Sequence, residues 1–462
     1  MYKKTDLYNS MAYIVNHLLN LPDYAVSDYV VLDNKWRNRA LETISQRFPR
    51  LFDEYNHVRK LRISQTESDY FYSAVCLFCK ECEDPHELLF LLEMMDDAVE
   101  NIIYSGLISD NENYREMSAL NDNSESIGIS ILPNVKCFWK RKSNGSQHGY
   151  EILHALQNTY YIIKRNIGKL ELHHLIFDST LFFELNRRHQ LRIACSGITD
   201  QVTVNGISFY QEHDRNVFIV DSIDNQDIIK NNVLKALDKS CQEDIDILVF
   251  PEMLGSHDLY EKIVDITQKN IGCRYPPIVI LPSIWEEKRN TAGILIGNES
   301  LIIYQDKQHS VVIEHNGQKY KEYITPNYLL YVLHIPLLGR ICIMLCKDFL
   351  VSEYLDIILK EIRASLIIVP SFSSGSYDFR NTVDACKKYD CDVVWINTCS
   401  AKHLGNARDD SFDVICKVLK SGYNSGVVDE KPNMRDCQNC HEDICFFVST
   451  INMSYRRREC NG

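Results

Sequence analysis

Two hydrophobic periodicities divide this chain near residue 190. Upstream, apolar residues recur at intervals of three and four, as in Leu88, Leu91, Leu92, Met95 and Val99, which lines one face of a helix. The same spacing predicts helix over residues 38–62, and Leu153–Ile163 reads as another. Pro85 sits where a first helical turn tolerates proline. Downstream, short β-rich runs alternate with amphipathic stretches, the signature of α/β layering. Strands are expected at Leu191–Cys195, Ile245–Phe250, Ile278–Leu281, Ala292–Ile296, Leu301–Tyr304, Arg340–Leu345, Leu366–Val369 and Val393–Ile396. Residues 225–240 read as a helix, as does the stripe Leu355, Ile358, Leu359 and Ile362, with Ser352 as its N-cap. The polar, aperiodic stretch 108–126 reads as a linker or long loop.

Three of these strands end in a reactive side chain. Asp-Ile-Leu-Val-Phe-Pro-Glu ends at Glu252, Leu-Ile-Ile-Tyr-Gln-Asp-Lys ends at Lys307, and Ile-Cys-Ile-Met-Leu-Cys-Lys-Asp carries Cys346 at its exit. Side chains at strand ends leave the core while their backbone stays rigid, so ligands of layered α/β proteins gather there. A thiol needs a base and nearby positive charge to act as a nucleophile. Glu252 would take and return its proton. Lys307 and the backbone N–H of Lys347 would meet the oxyanion of a tetrahedral intermediate. Taken singly, each residue has an ordinary reading: a strand cysteine such as Cys342 is a small core hydrophobe, a glutamate after proline a loop carboxylate, a lysine a solvated cation. Their order and context raise the set above its members.

Composition narrows the partners. The chain has 462 residues, 45% of them apolar and 24% charged, which suits two or three globular domains. A net charge of -13 argues against a nucleic-acid backbone as partner, and Trp139-Lys140-Arg141-Lys142 reads as a solvated turn. No apolar run is long enough to span a bilayer, and Asp6, Asn9, Asn16 and His17 interrupt any secretory signal. A cytoplasmic protein is expected. Seventeen cysteines scattered in apolar runs fit reduced core thiols.

On these motifs the chain resembles the nitrilase superfamily of carbon–nitrogen hydrolases, from about residue 190 to beyond 400. Val249-Phe250-Pro251-Glu252 looks like the family's general-base motif. Asn290–Ile294 through Tyr304–His309 looks like the segment leading into its lysine, and Gly339–Asp348 like its nucleophile strand. Ala364–Ser371 and Arg380–Asn397 are similar to the segments that follow. The resemblance implies an α/β fold, a four-layer αββα sandwich over residues 190–455, preceded by a helix-rich N-terminal domain, 1–185, of unknown role. It also implies a Glu252, Lys307, Cys346 triad, no metal or cofactor, a small-molecule amide or nitrile substrate, and homo-oligomers formed through the sheet-covering helices. A second glutamate that positions substrate is matched best by Glu322, with Glu314 the runner-up. The stretch between Glu252 and Lys307 is short for the family.

Other constellations carry less. Cys437, Cys440, His441 and Cys445 have zinc-like spacing, but adjacent Cys440 and His441 do not readily share one ion. The Cys-x-x-Cys-His string also matches c-type haem attachment, which would require export. Cys76, Cys79 and Cys82 form a second ladder. Asp96 and Asp97 read as exposed acids on the polar face of a helix rather than as ligands of two divalent ions. The leading expectation is hydrolysis of a nonpeptide carbon–nitrogen bond, with amide favoured over nitrile. Two alternatives stand beside it: an acyltransferase using the same thioester, and a non-catalytic effector whose N-terminal domain binds a protein partner.

Overall fold

The computed structural model describes residues 5–26, 28–48, 52–55, 58–61, 68–107, 124–133, 152, 155–177, 190–198, 206–269, 274–297, 301–335, 338–389, 391–403, 414–421, 427–432 and 444–452. The chain forms two compact units. The first takes Met1–Asp178, Val332–Gly339 and Lys360–Ile362, and the second takes Ser179–Tyr331, Arg340–Leu359 and Arg363–Gly462.

The first unit is rich in helix. It contains α1 (Thr5–Leu19), α2 (Asn34–Arg47), the hairpin of β1 (Phe52–Tyr55) and β2 (Val58–Leu61), then α3 (Ser68–Glu81) and α4 (Pro85–Leu107). After the short α5 (Ser124–Ile127) come β3 (Ile129–Pro133), β4 (Thr159–Ile163) and β5 (Glu171–Ile176). The Asp33 carboxylate caps α2 by accepting from Trp36 N at 2.8 Å, which satisfies one orphan donor of the first turn. The stripe Leu88, Leu91, Leu92, Met95 and Val99 is buried along α4, as its periodicity predicts.

Three expectations fail in this unit. Helix does not run through residues 38–62: α2 ends at Arg47, Phe48 leaves the helical conformation, and the chain returns as β1 and β2. Thr159–Ile163 is a strand paired antiparallel with β3, its β-branched and aromatic residues all buried. Asp96 is fully buried. It accepts from Gln157 N (2.6 Å), Asn158 N (2.7 Å), Thr159 N (2.8 Å) and Thr159 Oγ1 (2.5 Å), so it closes the turn leading into β4. Asp97, its neighbour, is exposed as expected.

The second unit is a layered α/β structure. Its strands begin with β6 (Gln190–Gly197), β7 (Gly206–Glu212) and β8 (Arg215–Ser222), followed by α6 (Gln226–Gln242), β9 (Ile247–Val249) and α7 (His257–Lys269). Next are β10 (Ile278–Ile280), β11 (Ile284–Glu286), β12 (Arg289–Ile296), β13 (Leu301–Asp306), β14 (Val312–His315) and β15 (Gln318–Glu322). β16 (Leu329–Ile335) runs on into the segment that belongs to the first unit. Then follow β17 (Gly339–Ile343), α8 (Ser352–Asp356), β18 (Leu366–Pro370), α9 (Tyr377–Ala385), β19 (Asp392–Ile396), β20 (Val414–Lys420), β21 (Val427–Pro432) and β22 (Cys445–Asn452). Val351 occupies the capping position of α8, so Ser352 is its first residue rather than its N-cap.

One sheet runs β11-β12-β10-β9-β6-β22, with β13 on the far side of β12. β6, β9 and β10 are parallel, in register Ile193, Ile247 and Ile278. Ala194, Leu248, Val279 and Leu295 turn to one face and join a cluster with Ile229, Val233 and Leu237 of α6 and Leu259 and Ile263 of α7. Their neighbours Ile193, Ile247, Ile278 and Ile294 are equally buried on the opposite face. That face meets a second sheet containing β17, β18 and β19, which are parallel, with β20 and β21 antiparallel beyond them. The outer side of this second sheet carries α9, where Phe379 stacks on Trp395 at 5.2 Å. The order helix, sheet, sheet, helix is therefore the αββα layering that was expected. Continuous apolar strands such as Leu366–Pro370 follow from burial on both faces.

Candidate active site

Glu252 stands just past β9. Phe250 N still pairs with Ile280 O at 3.0 Å, and Pro251 then ends the ladder. Met253 takes a left-handed backbone (φ 68°), and its N–H donates to Ser283 Oγ at 2.7 Å. Ser283 in turn donates to Asn290 Oδ1 at 2.6 Å, which turns the amide nitrogen of Asn290 toward Glu252 Oε1, 2.8 Å away. Glu252 Oε2 accepts from Phe372 N at 3.0 Å. No part of Glu252 reaches solvent.

Lys307 continues β13 by one residue, its N–H donating to Asn290 O at 2.8 Å. Alternation along the strand turns Asp306 to Thr291 and Asn327 on one side and Lys307 to the other. The Lys307 ammonium lies 2.9 Å from Glu252 Oε1 and 2.8 Å from Glu322 Oε2. Glu322 ends β15, fixed there by parallel pairing with Phe218 of β8 and by Val311 N, which donates to Oε2 at 3.1 Å. Its other oxygen, Oε1, is buried and has no hydrogen-bond partner among the described residues.

Cys346 opens the short 3-10 turn Cys346–Leu350 after β17. Met344 N still pairs with Ile368 O, whereas Cys346 has a left-handed backbone (φ 47°), which costs a β-substituted residue roughly 1–3 kcal/mol. The thiol is within hydrogen-bonding reach of the Glu252 carboxylate and the Phe372 N–H. The structure thus brings Glu252, Lys307, Glu322 and Cys346 into one buried cluster. Glu314 instead lies on an exposed stretch of β14.

Burial governs the charges here. It pushes the Cys346 thiol well up, and the Glu252 carboxylate adds to the push while Lys307 opposes it. Burial also raises Glu252, against the pull of Lys307. For Lys307 burial works toward losing the proton, but two carboxylates outweigh it and hold the ammonium well above its ordinary range.

Residues that the sequence reading did not single out complete the site. Asn290, Ser283 and Phe372 hold Glu252, and Asp348 ties the turn of Cys346 to the residues after Lys307. A signal for Asn290 existed: it shares the core-facing parity of Ala292 and Ile294, where an apolar residue is expected. A cavity of 340 Å³ nearby is lined by His257, Arg289, Tyr304, Asp306 and Tyr331 among others, on the Asp306 side of β13 and not by the four clustered residues.

Among the described residues no group of three or more His, Cys, Asp or Glu is placed to hold a metal ion. Cys76, Cys79 and Cys82 on and just after α3 are free thiols. Cys445 is buried in β22 opposite Gly197, and Cys437, Cys440, His441 and the Trp139–Lys142 run lie outside the described residues. No described helix is long and apolar enough to cross a membrane.

No family model matches the chain. No curated protein matches it either. Among solved structures it is similar to the NitFhit protein of C. elegans, with 15% identity, 58% of this chain and 62% of that one covered, and a TM-score of 0.41. It is also similar to an amidase from Nesterenkonia sp. (13% identity, 58% and 93% covered, TM-score 0.39). A third is a glutamine-dependent NAD(+) synthetase from Cytophaga hutchinsonii (16% identity, 57% and 43% covered, TM-score 0.32). The chain thus spans less than two thirds of the NitFhit and synthetase chains, and each likeness covers a little more than half of this one.

Proposed function

We propose that this protein hydrolyses a nonpeptide carbon–nitrogen bond, of an amide rather than a nitrile, through a thioester on Cys346. The observation that carries the reading is the buried Lys307 ammonium, bridging Glu252 and Glu322 beside a cysteine in a left-handed turn. A lone buried ion pair has no need of a second carboxylate, and a structural cysteine has no need of that backbone.

In this mechanism Cys346 Sγ attacks the amide carbon as Glu252 takes the thiol proton. General-base help of this kind is worth about 10²–10⁴ in rate. The oxyanion meets the Lys307 ammonium and the Lys347 N–H, and loss of one such donor costs about 10²–10³. Glu252 returns the proton to the leaving nitrogen, the C–N bond breaks, and an acyl thioester remains. Water, deprotonated by Glu252, then attacks the thioester, releasing a carboxylic acid and restoring the thiol. Oε1 of Glu322, unpartnered among the described residues, is placed to accept a substrate N–H. An amide has that donor and a nitrile lacks it. Homo-oligomer formation through the sheet-covering helices and a partner-binding role for residues 1–185 belong to the same reading, as does a cytoplasmic location.

The test is a panel of small primary amides assayed for ammonia release, with intact-mass detection of the acyl-enzyme in acid-quenched samples. The reading expects turnover that is lost in Cys346→Ala and an adduct that maps to Cys346. Absence of both, with Cys346 no more reactive toward iodoacetamide than the other thiols, would leave the non-catalytic alternative.

A further inference from the structure

We propose that Asp348 is a positioning residue, whose carboxylate locks the segment after Lys307 onto the turn that presents Cys346. The inference rests on the catalytic reading of that cluster. Asp348 is 2% exposed and lies two residues beyond the cysteine. Gln308 N donates to both of its oxygens at 3.0 Å, His309 N donates to Oδ1 at 2.7 Å, and His309 Nδ1 lies 2.9 Å from the same oxygen. Its own N–H donates to Leu345 O at 3.0 Å, closing the turn around the strained Cys346. One carboxylate therefore joins the two catalytic segments at a distance of one or two residues from each functional side chain.

The other bonds of this segment lead elsewhere. The Gln308 amide donates to Asp306 O (2.8 Å) and Asn327 Oδ1 (3.0 Å) and accepts from Tyr328 N (2.8 Å), which ties it to residues 327–328 rather than to the nucleophile turn. The Lys307 ammonium is already held by Glu252 and Glu322. What Asp348 sets is the place of the thiol relative to that trio. The buried Gln308 N–H and the half-buried His309 N–H converge on one carboxylate in strong, directional bonds, and the first has no water to fall back on. Burial raises the Asp348 carboxyl, while the His309 contact opposes that rise.

The experiment uses the full chain. Wild type, Asp348→Asn, Asp348→Ala, Glu252→Gln and the Glu252→Gln/Asp348→Asn double variant are treated with limiting iodoacetamide, and the rate at Cys346 is read by peptide mass mapping. Amide hydrogen exchange at Gln308 and His309 is followed in parallel. The expected result is at least tenfold slower modification of Cys346 in Asp348→Asn, lost protection at residues 308 and 309, and no further slowing when Asp348→Asn is added to Glu252→Gln. That non-additivity separates positioning from a general loosening, whose effects would multiply. Should Asp348→Ala fail to fold, the Asn variant, which keeps the shape and one acceptor oxygen, carries the test. A wild-type rate in Asp348→Asn, or effects that multiply in the double variant, overturns the inference. A wild-type Cys346 that labels no faster than the other thiols overturns the catalytic reading first, before any Asp348 variant is compared.

Discussion

Asn290 Nδ2 donates to Glu252 Oε1 at 2.8 Å because Ser283 holds the opposite end of the same amide. The hydrogen-bond chain Met253 N, Ser283 Oγ, Asn290 Oδ1 fixes which way the amide points, so an uncharged group joins the Lys307 ammonium in orienting Glu252. Asn290→Ala should cost about 1–3 kcal/mol, the penalty of leaving buried polar groups unmatched. Urea unfolding would measure it. Asn290→Asp should cost more, since it places a third carboxylate beside Glu252 and Glu322.

Cys346 should be modified by iodoacetamide selectively among the seventeen thiols near neutral pH, although burial raises its thiol as it does that of Cys342, which is pushed up to about 12. The difference is the base. Glu252→Gln should slow modification of Cys346 by roughly 10²–10⁴ and leave Cys342 unchanged, as mass-mapped labelling would show.

Removing the Lys307 charge leaves two buried carboxylates facing each other. Lys307→Met should therefore destabilise the protein by about 3–5 kcal/mol, the range for breaking one side of a buried pair. Adding Glu322→Gln should restore part of that stability without restoring Cys346 reactivity. Equal stability of wild type and Lys307→Met in chemical denaturation would refute the buried bridge.

Asp96 supplies a pH dependence. Burial pushes its carboxyl up to about 6, against four hydrogen bonds that favour the ionised form. A carboxyl raised in the folded state contributes stability that is complete below its unfolded value, near 3.9, and is lost as pH rises through 6. Over that range the loss amounts to roughly 3 kcal/mol. The stability difference between wild type and Asp96→Asn should thus shrink between pH 4 and pH 7 in urea melts. A difference that grows with pH would mean that the four donors, not burial, govern this group.

Much of the second unit was legible because its strands are buried on both faces. Ile278–Ile280, Leu366–Pro370 and Asp392–Ile396 form where continuous apolar runs predict them. Helical spacing was the weaker guide. Three-and-four recurrence around residues 38–62 does not show that the helix ends at Arg47, and Thr159–Ile163 follows its β-branched and aromatic residues into a strand. Burial of Asp96 leaves no mark in the sequence, because a helix face shows its polarity there and not the distant turn that consumes it.

By itself, the sequence determined which strands end in a carboxylate, an ammonium and a thiol, because local hydrophobicity decides where a strand leaves the core. Only the tertiary structure decided that these groups share one buried cluster, that Glu322 and not Glu314 reaches Lys307, and that Asn290 and Asp348 hold the rest in place. Glu252 meets Phe372 across 120 residues, and Asp348 meets His309 across 39. Bonds over such separations arise from sheet order and register, and a single chain of letters carries no periodic trace of them.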